Sequence, residues 1–339
     1  MKPLKVAVIG TGRIGKRHIK HIKNLAHLEA ICDIKKDVAD QVSQEHECPG
    51  YYSIDELLEK ENELDLVSIC TPNGFHAEHT IKALKAGNHV LCEKPMATST
   101  FDCERMIHAA EQANKRLFVV KQNRFNPPIQ ALKKVIDEER LGKIFNVQLN
   151  CFWNRNPQYY LESDWKGKKD IDGGTLFTQF SHFIDLLYMF VGDVESVCVF
   201  TDNFTHEDLI DFEDTGVISL KFSNGALGTI NYTVCSYDHN MEGSITLFAE
   251  HGTVKIGGQY LNTLEYQSLK DDYKIIFDET SNPANDYGFY KGSMSNHDKV
   301  YENVIDVLTN GGIIQTNMLE GLKTVQIIEK IYKAANRMD

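Results

Sequence analysis

Residues 4–15 read Leu-Lys-Val-Ala-Val-Ile-Gly-Thr-Gly-Arg-Ile-Gly. The apolar run 4–9 predicts a buried strand, the glycines follow it without a gap, and residues 13–22 can continue as a helix. In this context a Gly-x-Gly-x-x-Gly motif binds a dinucleotide, because the helix N-terminus offers free N–H groups to phosphate. The segment therefore predicts a doubly wound α/β domain. Its cofactor-binding candidates are Gly10, Gly12, Arg13, Ile14 and Gly15.

A second predicted strand, residues 28–32, ends at Asp33. The carboxylate at this position can accept hydrogen bonds from the adenosine ribose hydroxyls, and it would repel a 2′-phosphate. The sequence therefore favours NAD over NADP, although Lys35 and Lys36 lie close enough to weaken that preference. The alternative for this half of the chain is a glycine turn that binds no nucleotide.

The chain has 339 residues, more than one hydrophobic core usually supports, so we expect two domains. Up to about residue 123, short apolar strands alternate with helices, which predicts a parallel Rossmann sheet. From residue 144 onward, longer alternating strands and a tight turn at 223–225 predict an open, mostly antiparallel sheet. The predicted domains are 1–123, which binds NAD, and 124–339, an α/β domain for substrate and subunit contacts. Helices near 176–190, at 297–308 and at 319–336 are expected to cover one face of the second sheet.

Composition excludes several classes of function. The net charge of −12 and the absence of a basic stripe argue against a nucleic-acid partner. The chain enters a strand at once and has no apolar run near the ~20 residues of a membrane span, which predicts a cytoplasmic protein without a membrane partner. Its 8 cysteines are scattered without a zinc-like spacing, so we expect reduced thiols and no metal.

Two short segments follow strands at the carboxyl edge of the first predicted sheet, where such folds bind ligands. One holds Thr71, Pro72 and Asn73, with His76 one turn later, and is either a cofactor contact or an ordinary loop. The other is Glu93-Lys94-Pro95. A lysine there would be partly desolvated and close to the positive nicotinamide of NAD⁺, and both effects lower its pKa toward proton exchange. Glu93 is expected to orient Lys94 or pair with it.

The second half carries Gly173-Gly174 before a helix that holds His182 and Asp185. These two side chains are three residues apart and so share one helix face. A histidine on such an apolar helix is either catalytic or a core residue with one satisfied nitrogen. Residues 295–297, Ser-Asn-His, precede a late helix and are expected to cap it, with phosphate contact as the alternative.

In their order and spacing, these motifs resemble the Gfo/Idh/MocA family of sugar and polyol dehydrogenases over the whole chain. The resemblance implies that Lys94 assists proton transfer at the hydroxyl being oxidised and that His182 lies beside the same carbon. The alcohol would lose its proton toward Lys94 or His182 while its carbon delivers hydride to C4 of NAD⁺. The further cofactor-binding candidates are Thr71, Pro72, Asn73, His76, Glu93, Lys94 and Gln122.

One position departs from the family pattern. Many members carry an aspartate four residues before the histidine, where this chain has Thr178, followed by Gln179. A threonine is neither acid nor base at neutral pH, so the proton chemistry would fall to Lys94 and His182.

Three stretches narrow the resemblance: residues 121–127, residues 153–165 and the glycine segment through Gln179. They resemble the branch that oxidises C3 of UDP-N-acetylglucosaminuronic acid (UDP-GlcNAcA) in bacterial synthesis of surface-polysaccharide sugars. The substrate-binding candidates are Lys94, Lys121, Arg124, Asn154, Arg155, Tyr159, Tyr160, Thr178, Gln179 and His182.

An anionic nucleotide sugar would require Lys121, Arg124 and Arg155 to gather in one pocket of this acidic protein. Tyr159 and Tyr160 could then stack on sugar or uracil, whereas an ordinary surface loop is the alternative for the stretch. Three other functions stay open: a dehydrogenase of a neutral sugar or inositol, a non-catalytic NAD-binding regulator, and an assembly scaffold. An exposed sheet face predicts a homo-oligomer, dimer or tetramer.

Overall fold

The computed structural model describes residues 2–278, 283–286, 288 and 290–335. Its strands are β1 (Lys5–Ile9), β2 (His27–Cys32), β3 (Gly50–Tyr51), β4 (Leu66–Ile69), β5 (His89–Cys92), β6 (Leu117–Val119), β7 (Ile144–Phe152), β8 (Val194–Asp202), β9 (Thr215–Phe222), β10 (Leu227–Thr233), β11 (Glu242–Ala249), β12 (Gly252–Gly257), β13 (Thr263–Leu269), β14 (Ala284–Asp286) and β15 (Lys291–Met294). Its helices are α1 (Arg13–Leu25), α2 (Lys36–His46), α3 (Ile54–Lys60), α4 (His76–Lys85), α5 (Thr100–Ala113), α6 (Pro127–Asp137), α7 (Pro157–Leu161), α8 (Lys169–Asp172), α9 (Thr175–Thr178), α10 (Ser181–Val191), α11 (His297–Asn310) and α12 (Met318–Ala335).

These elements fall into two compact units. Within the described residues, the first unit holds 2–120 and 297–325, and the second holds 121–296 and 326–335. The chain passes from the first unit to the second three residues before the predicted domain boundary. It then returns to the first unit at residues 297–325, which were predicted to belong to the second domain.

The first unit contains a six-stranded parallel sheet in the order β3-β2-β1-β4-β5-β6. Strand β4 is buried along its whole length and β1 along nearly all of it, as expected for a parallel sheet covered on both faces. This is the predicted Rossmann arrangement, which the structure confirms. Because β1, β4 and β5 are neighbours and parallel, the loops that follow them meet at one edge of the sheet.

Helix α11 was expected to cover the antiparallel sheet, and this expectation was wrong, because α11 packs against α1 in the first unit. Its buried face consists of His297, Val300, Tyr301 and Val304. The Tyr301 hydroxyl lies 2.8 Å from Nδ1 of His18 on α1 and 2.7 Å from Oγ of Ser68 on β4. These polar contacts join segments more than two hundred residues apart, so hydrophobic periodicity could not reveal them.

The second unit contains a seven-stranded sheet in the order β13-β12-β11-β7-β10-β9-β8. Only β7 and β10 run parallel among its pairs, so the predicted mostly antiparallel sheet is confirmed. The predicted turn at 223–225 joins β9 to β10, and Gly225 supplies the positive φ of 88° that the turn needs. Strand β13 was not predicted, because only its last residue, Leu269, is buried and the strand lacks apolar alternation.

The two faces of this second sheet differ. Helix α10 packs against β7 on one of them. On β8 and β9, Phe200 and Val217 stand opposite each other and are 63% and 51% exposed. Among the described helices, none combines the length and the apolar composition that crossing a membrane requires.

Candidate functional site

The glycine loop after β1 has the geometry that a dinucleotide requires. Gly10 has a φ of +88°, and a Cβ there would lie 2.7 Å from the carbonyl oxygen of Cys70. A Cβ on Gly15 would lie 2.0 Å from the carbonyl oxygen of Gly10, so helix α1 could not approach the loop with any larger residue. Gly12 caps α1 without a side-chain hydrogen bond and has open space beside it. The N-terminus of α1 therefore lies beside open space at Gly12, where a pyrophosphate can bind.

Asp33 lies beside this loop. Its Oδ2 accepts hydrogen bonds from the backbone N–H and the hydroxyl of Thr11, at 2.8 and 3.0 Å, and its Oδ1 accepts one from the N–H of Lys35 at 3.0 Å. These bonds fix the carboxylate while Oδ1 keeps a lone pair, which a ribose hydroxyl could use. The residues present therefore fit NAD.

The loop after β4 is tied to the loop after β5. Nε2 of His76 lies 2.8 Å from the carbonyl oxygen of Thr71, and Nδ1 lies 2.7 Å from that of Pro95. Burial lowers the pKa of His76, with the two carbonyl oxygens opposing that shift. Pro72 is half-buried and Asn73 is buried in the same loop. His76 thus connects the two predicted cofactor loops through its ring.

Glu93 is buried at the end of β5 and has close partners on both oxygens. Its Oε1 lies 2.9 Å from Nε2 of His18 and 3.2 Å from Nε2 of His297, and its Oε2 accepts a hydrogen bond from the backbone N–H of Lys94 at 3.0 Å. Burial opposes the charge, but the two histidines outweigh it and hold the pKa of Glu93 well below its usual range. Lys94 itself is half-buried and begins a cis peptide bond with Pro95.

His18 and Tyr301 were missed by the sequence analysis, and His297 was expected only as a cap or a phosphate contact. A signal for His18 existed, because it lies four residues from both Ile14 and Ile22 on the helix face that turns inward. The atoms of His18, Glu93 and His297 are also close enough to hold a metal ion. Their distances are those of direct hydrogen bonds, so we assign the group to positioning the segment that carries Lys94.

Lys121, Arg124 and Arg155 were predicted to form a cationic cluster. In the second unit, Asp185 on α10 pairs with the first two of them. Arg124 donates from Nε and Nη2 to the two carboxylate oxygens, each at 2.7 Å, and Nζ of Lys121 lies 3.2 Å from Oδ1. All three residues are buried. Burial by itself raises the pKa of Asp185, but the charges of Arg124 and Lys121 outweigh it and hold the pKa at about 2. Two cationic side chains thus share one carboxylate.

The turn between these two cations contains polar atoms without partners. Oε1 of Gln122 and both amide atoms of Asn123 are buried and have no hydrogen-bond partner among the described residues. Such atoms are costly unless a ligand or water satisfies them. Gln122 was predicted as a cofactor contact, whereas Asn123 was not predicted as a site residue.

Arg155 is placed differently from the other two cations. It is 3% exposed, and it donates from Nε to Oε1 of Gln179 at 2.7 Å and from Nη1 to the carbonyl oxygen of Asn154 at 2.6 Å. Its guanidinium also lies over the rings of Trp153, Tyr159 and Tyr290, 4.9 to 5.2 Å from their centroids. Within the described part of the chain, no carboxylate pairs with this buried charge.

The remaining substrate candidates surround this arginine or lie near it in sequence. Nε2 of Gln179 donates to the Tyr159 hydroxyl at 2.7 Å, and Tyr159 and Tyr160 are buried against each other with Ile210. Asn154 donates from Nδ2 to the carbonyl oxygen of Ser236 at 2.6 Å. An additional contact that the sequence did not reveal is Asn240, whose Oδ1 accepts from Nη1 of Arg155 at 3.3 Å.

Thr178, which stands four residues before His182, has a carboxylate beside it. Its hydroxyl donates to Oδ1 of Asp172, a buried residue whose Oδ2 accepts from the backbone N–H of Gly167 at 2.8 Å. His182 follows on α10 and is 2% exposed. Lys94 belongs to the first unit and His182 to the second.

Comparison with known proteins agrees with both halves of this description. Residues 4–121 match the family model described as "Oxidoreductase family, NAD-binding Rossmann fold", and residues 129–255 match the "GFO/IDH/MocA C-terminal domain". A curated relative, myo-inositol 2-dehydrogenase of Thermotoga maritima, is 30% identical over 253 residues, which span 70% of this chain and 72% of that protein.

Two solved structures resemble the whole chain. The WlbA dehydrogenase of Bordetella pertussis, in complex with NADH and UDP-GlcNAcA, is 35% identical with a TM-score of 0.88, covering 100% of this chain and 98% of the other. The WlbA dehydrogenase of Chromobacterium violaceum, with the same two ligands, is 33% identical with a TM-score of 0.89, covering 99% of this chain and 96% of the other.

Proposed function

Because this chain belongs to the Gfo/Idh/MocA family, we propose that it oxidises C3 of UDP-N-acetylglucosaminuronic acid with NAD, in the synthesis of a surface-polysaccharide sugar. The family, the fold class and NAD as cofactor, all predicted from the sequence, are confirmed. The chain is thus an NAD-dependent sugar or polyol dehydrogenase. The identity of the sugar is the part that we propose.

The observation that carries the substrate proposal is the buried guanidinium of Arg155. A buried cation with only neutral partners is costly unless a ligand supplies the missing negative charge. A uronic acid carries a carboxylate whose geometry matches the donor fork of arginine. Neutral sugars and inositol offer no such charge, so they leave Arg155 unexplained.

The cationic cluster supports the same substrate class. Lys121 and Arg124 place two cations beside Asp185, and Gln122 and Asn123 next to them have unsatisfied amide atoms. We assign Gln122 to the cofactor and add Asn123 as a ligand contact for the cofactor or the sugar. The UDP-GlcNAcA bound in two solved relatives is consistent with this assignment.

We assign the proton chemistry to Lys94 and His182. When bound in the first unit, NAD would supply the hydride acceptor for this oxidation. Lys94 holds or receives the hydroxyl proton at Nζ, and Glu93 fixes its backbone. His182 is the second candidate base, and Thr178 cannot replace it. The other cofactor contacts that we propose are Gly10, Gly12, Arg13, Ile14, Gly15, Asp33, Thr71, Pro72, Asn73 and His76.

The remaining substrate contacts that we propose are Asn154, Tyr159, Tyr160 and Gln179, with Asp172 holding Thr178 in place. The exposed sheet face with Phe200 and Val217 supports a homo-oligomer, because paired copies would bury these side chains. A cytoplasmic location stays a prediction.

The decisive experiment mixes NAD⁺ and UDP-GlcNAcA with enzyme in stoichiometric amount, so that slow NADH release cannot hide the chemistry. We expect a 3-keto nucleotide sugar by mass spectrometry, and no product from Lys94→Met. The matched control is Lys134→Met, since Lys134 is 73% exposed and its ion pair among the described residues is with Glu138, at the C-terminal end of α6. NADH formation from myo-inositol but not from the uronate would favour the neutral-sugar alternative. NAD binding without any turnover would favour the regulator.

A second variant tests the role of Arg155. Arg155→Lys keeps the charge and loses the planar fork, so we expect kcat/KM for UDP-GlcNAcA to fall by about 10²-fold through KM. Arg140→Lys, at an exposed position, is the matched control and should behave like wild type. An unchanged KM in Arg155→Lys would contradict the substrate assignment.

A further inference from the structure

Helix α9 lies in the chain between the two glycines at 173–174 and the residues assigned to the substrate. It is a single turn, Thr175–Thr178, and Gln179 follows at its C-terminal end. One turn of helix forms too few internal hydrogen bonds to be stable by itself, so its position depends on contacts from the rest of the fold. The side chains that fix α9 therefore also fix Gln179.

The N-terminus of α9 has no cap of its own. Its N-cap residue is Gly174, which makes no side-chain hydrogen bond because it has no side chain. The first N–H groups of a helix lack partners within the helix, so they need acceptors from elsewhere. Tyr332 on α12 supplies one, since its hydroxyl oxygen accepts from the backbone N–H of Leu176 at 3.1 Å. A side chain from a distant helix thus replaces the missing cap.

Glu213 holds this hydroxyl in place. The Tyr332 hydroxyl donates to Oε1 of Glu213 at 2.8 Å, so its one proton is used there and a lone pair remains for the Leu176 N–H. The Thr175 hydroxyl donates to the backbone carbonyl oxygen of Glu213 at 2.6 Å, which attaches α9 a second time. Thr175, Leu176 and Glu213 are buried, so a lost bond would leave an unsatisfied polar group.

The same contact explains why residue 174 is a glycine. A Cβ on Gly174 would overlap the hydroxyl oxygen and the ring of Tyr332, and the residue has a φ of +129°. Any other residue would displace the tyrosine or strain the backbone. The Tyr332 ring also stacks on Phe177 of α9, with the centroids 5.8 Å apart. Gly174 therefore leaves room for the hydroxyl that caps α9.

The other end of α9 leads to Arg155. The backbone N–H of Gln179 donates to the carbonyl oxygen of Thr175 at 2.9 Å, so Gln179 continues the turn. Its Oε1 accepts from Nε of Arg155 and its Nε2 donates to the Tyr159 hydroxyl, each at 2.7 Å. Because α9 is one turn long, a shift at its N-terminus carries Gln179 with it.

We propose that Tyr332 is a positioning residue for the sugar substrate: its hydroxyl holds α9, and α9 holds Gln179 against Arg155. The inference rests on the proposed function, because it takes Arg155 as the group that binds the uronate. Without the hydroxyl, α9 can shift and the guanidinium loses the neutral partner that fixes its plane. The arginine then meets the substrate carboxylate in a less favourable geometry.

Tyr332→Phe tests this role, because it removes the hydroxyl and keeps the ring that stacks on Phe177. We expect KM for UDP-GlcNAcA to rise about tenfold, while kcat stays near the wild-type value. The dissociation constant for NAD⁺, measured by calorimetry, should not change, since the nucleotide loop belongs to the first unit. If Tyr332→Phe fails to fold, Thr175→Val removes the other attachment of α9 and should raise KM in the same way.

The matched control is Tyr232→Phe. The Tyr232 hydroxyl lies on β10 and donates to the same Oε1 of Glu213, at 3.0 Å, and among the described residues its bond is to Glu213 alone. Both variants therefore lose one hydrogen bond to Glu213, but only Tyr332→Phe loses the cap of α9. Tyr232→Phe should keep the wild-type KM. An equal rise of KM in the two variants, or a wild-type KM in Tyr332→Phe, would overturn the proposal.

Crystal structures of the two variants add a measurement that needs no turnover. In Tyr332→Phe we expect Oε1 of Gln179 and Nε of Arg155 to lie beyond hydrogen-bond distance, whereas Tyr232→Phe should keep them at 2.7 Å. A Gln179–Arg155 bond that survives in Tyr332→Phe would overturn the positioning role. A wild-type enzyme that does not oxidise UDP-GlcNAcA would reject the proposed function instead, and the two structures would then decide the positioning role.

Discussion

The carboxylate of Glu93 accepts a hydrogen bond from the backbone N–H of Lys94 at 3.0 Å. Its other oxygen lies against His18 and His297, which belong to α1 and α11. The segment that carries Lys94 is therefore held by two helices that are distant in sequence. Placing a general base within hydrogen-bond reach of a substrate requires such support.

Glu93→Gln tests this support. An amide cannot accept from both histidines and from the Lys94 N–H, so buried donors lose partners and the free energy of unfolding should fall by ~1–3 kcal/mol. Because the lysine is displaced, we expect the fold-decrease in kcat to be larger than the fold-increase in KM for the sugar. The pH–rate profile should also shift. Glu78→Gln is the control, since its pair with Lys82 is exposed. Wild-type kcat in Glu93→Gln would contradict the positioning role.

Asp33→Ser tests cofactor choice. Removing the carboxylate eliminates repulsion of a 2′-phosphate and leaves Lys35 and Lys36 nearby, so the ratio of kcat/KM for NAD to that for NADP should fall by about 10²-fold. Steady-state kinetics with both cofactors measure it. Asp37→Ser, on the exposed start of α2, is the control. An unchanged ratio would show that another group excludes NADP.

Asp185→Asn would leave Lys121 and Arg124 buried with less compensation. Breaking a buried pair on one side costs about 3–5 kcal/mol, so we expect a large loss in urea unfolding. Asp137→Asn, in an exposed pair with Lys133, should change little.

Asp185 also makes the free energy of unfolding of the wild-type protein depend on pH in the acidic range. Because the folded pKa of Asp185 is about 2 and its ordinary value is 3.8, its contribution is present above pH 3.8 and is lost as pH falls toward 2. That contribution is roughly 2–3 kcal/mol. If the free energy of unfolding falls below pH 3.8 by the same amount in Asp185→Asn as in wild type, the acid dependence does not come from Asp185.

Glu213 makes the stability of the protein depend on pH in the opposite direction. Burial raises its pKa to about 7, although the hydroxyls of Tyr332 and Tyr232 donate to its Oε1 at 2.8 and 3.0 Å. A raised folded pKa contributes stability below pH 4.5, and that contribution is lost as pH rises through 7.

Glu213→Gln stays neutral and can still accept from both tyrosines. We therefore expect it to exceed wild-type stability by ~1–3 kcal/mol in mild alkali and to equal it in mild acid. Thermal unfolding at the two pH values measures this difference, with the exposed Glu195→Gln as control. A variant less stable than wild type in alkali would show that the fold favours the charged carboxylate, which contradicts a raised pKa for Glu213.

Much of the fold could be predicted because it depends on local pattern. The apolar run before Gly10 and the need for small residues at Gly10 and Gly15 are visible in sequence, since a strand period and a tight turn involve neighbouring residues. The hairpin turn at 223–225 could be predicted for the same reason. Strand β13 could not be predicted, because its exposed residues leave no apolar period.

The candidate site likewise has features that the sequence predicts and features that it does not. The sequence by itself determined the nucleotide loop, the acidic residue after β2, the lysine after β5 and the family, because each is a short motif with fixed spacing. Only the tertiary structure decided that Glu93 is held by His18 and His297, that Asp185 neutralises Lys121 and Arg124 in part, and that Arg155 is buried among neutral partners. Charge compensation depends on which side chains meet across distant segments, and burial sets its energy, so neither can be read from the order of residues.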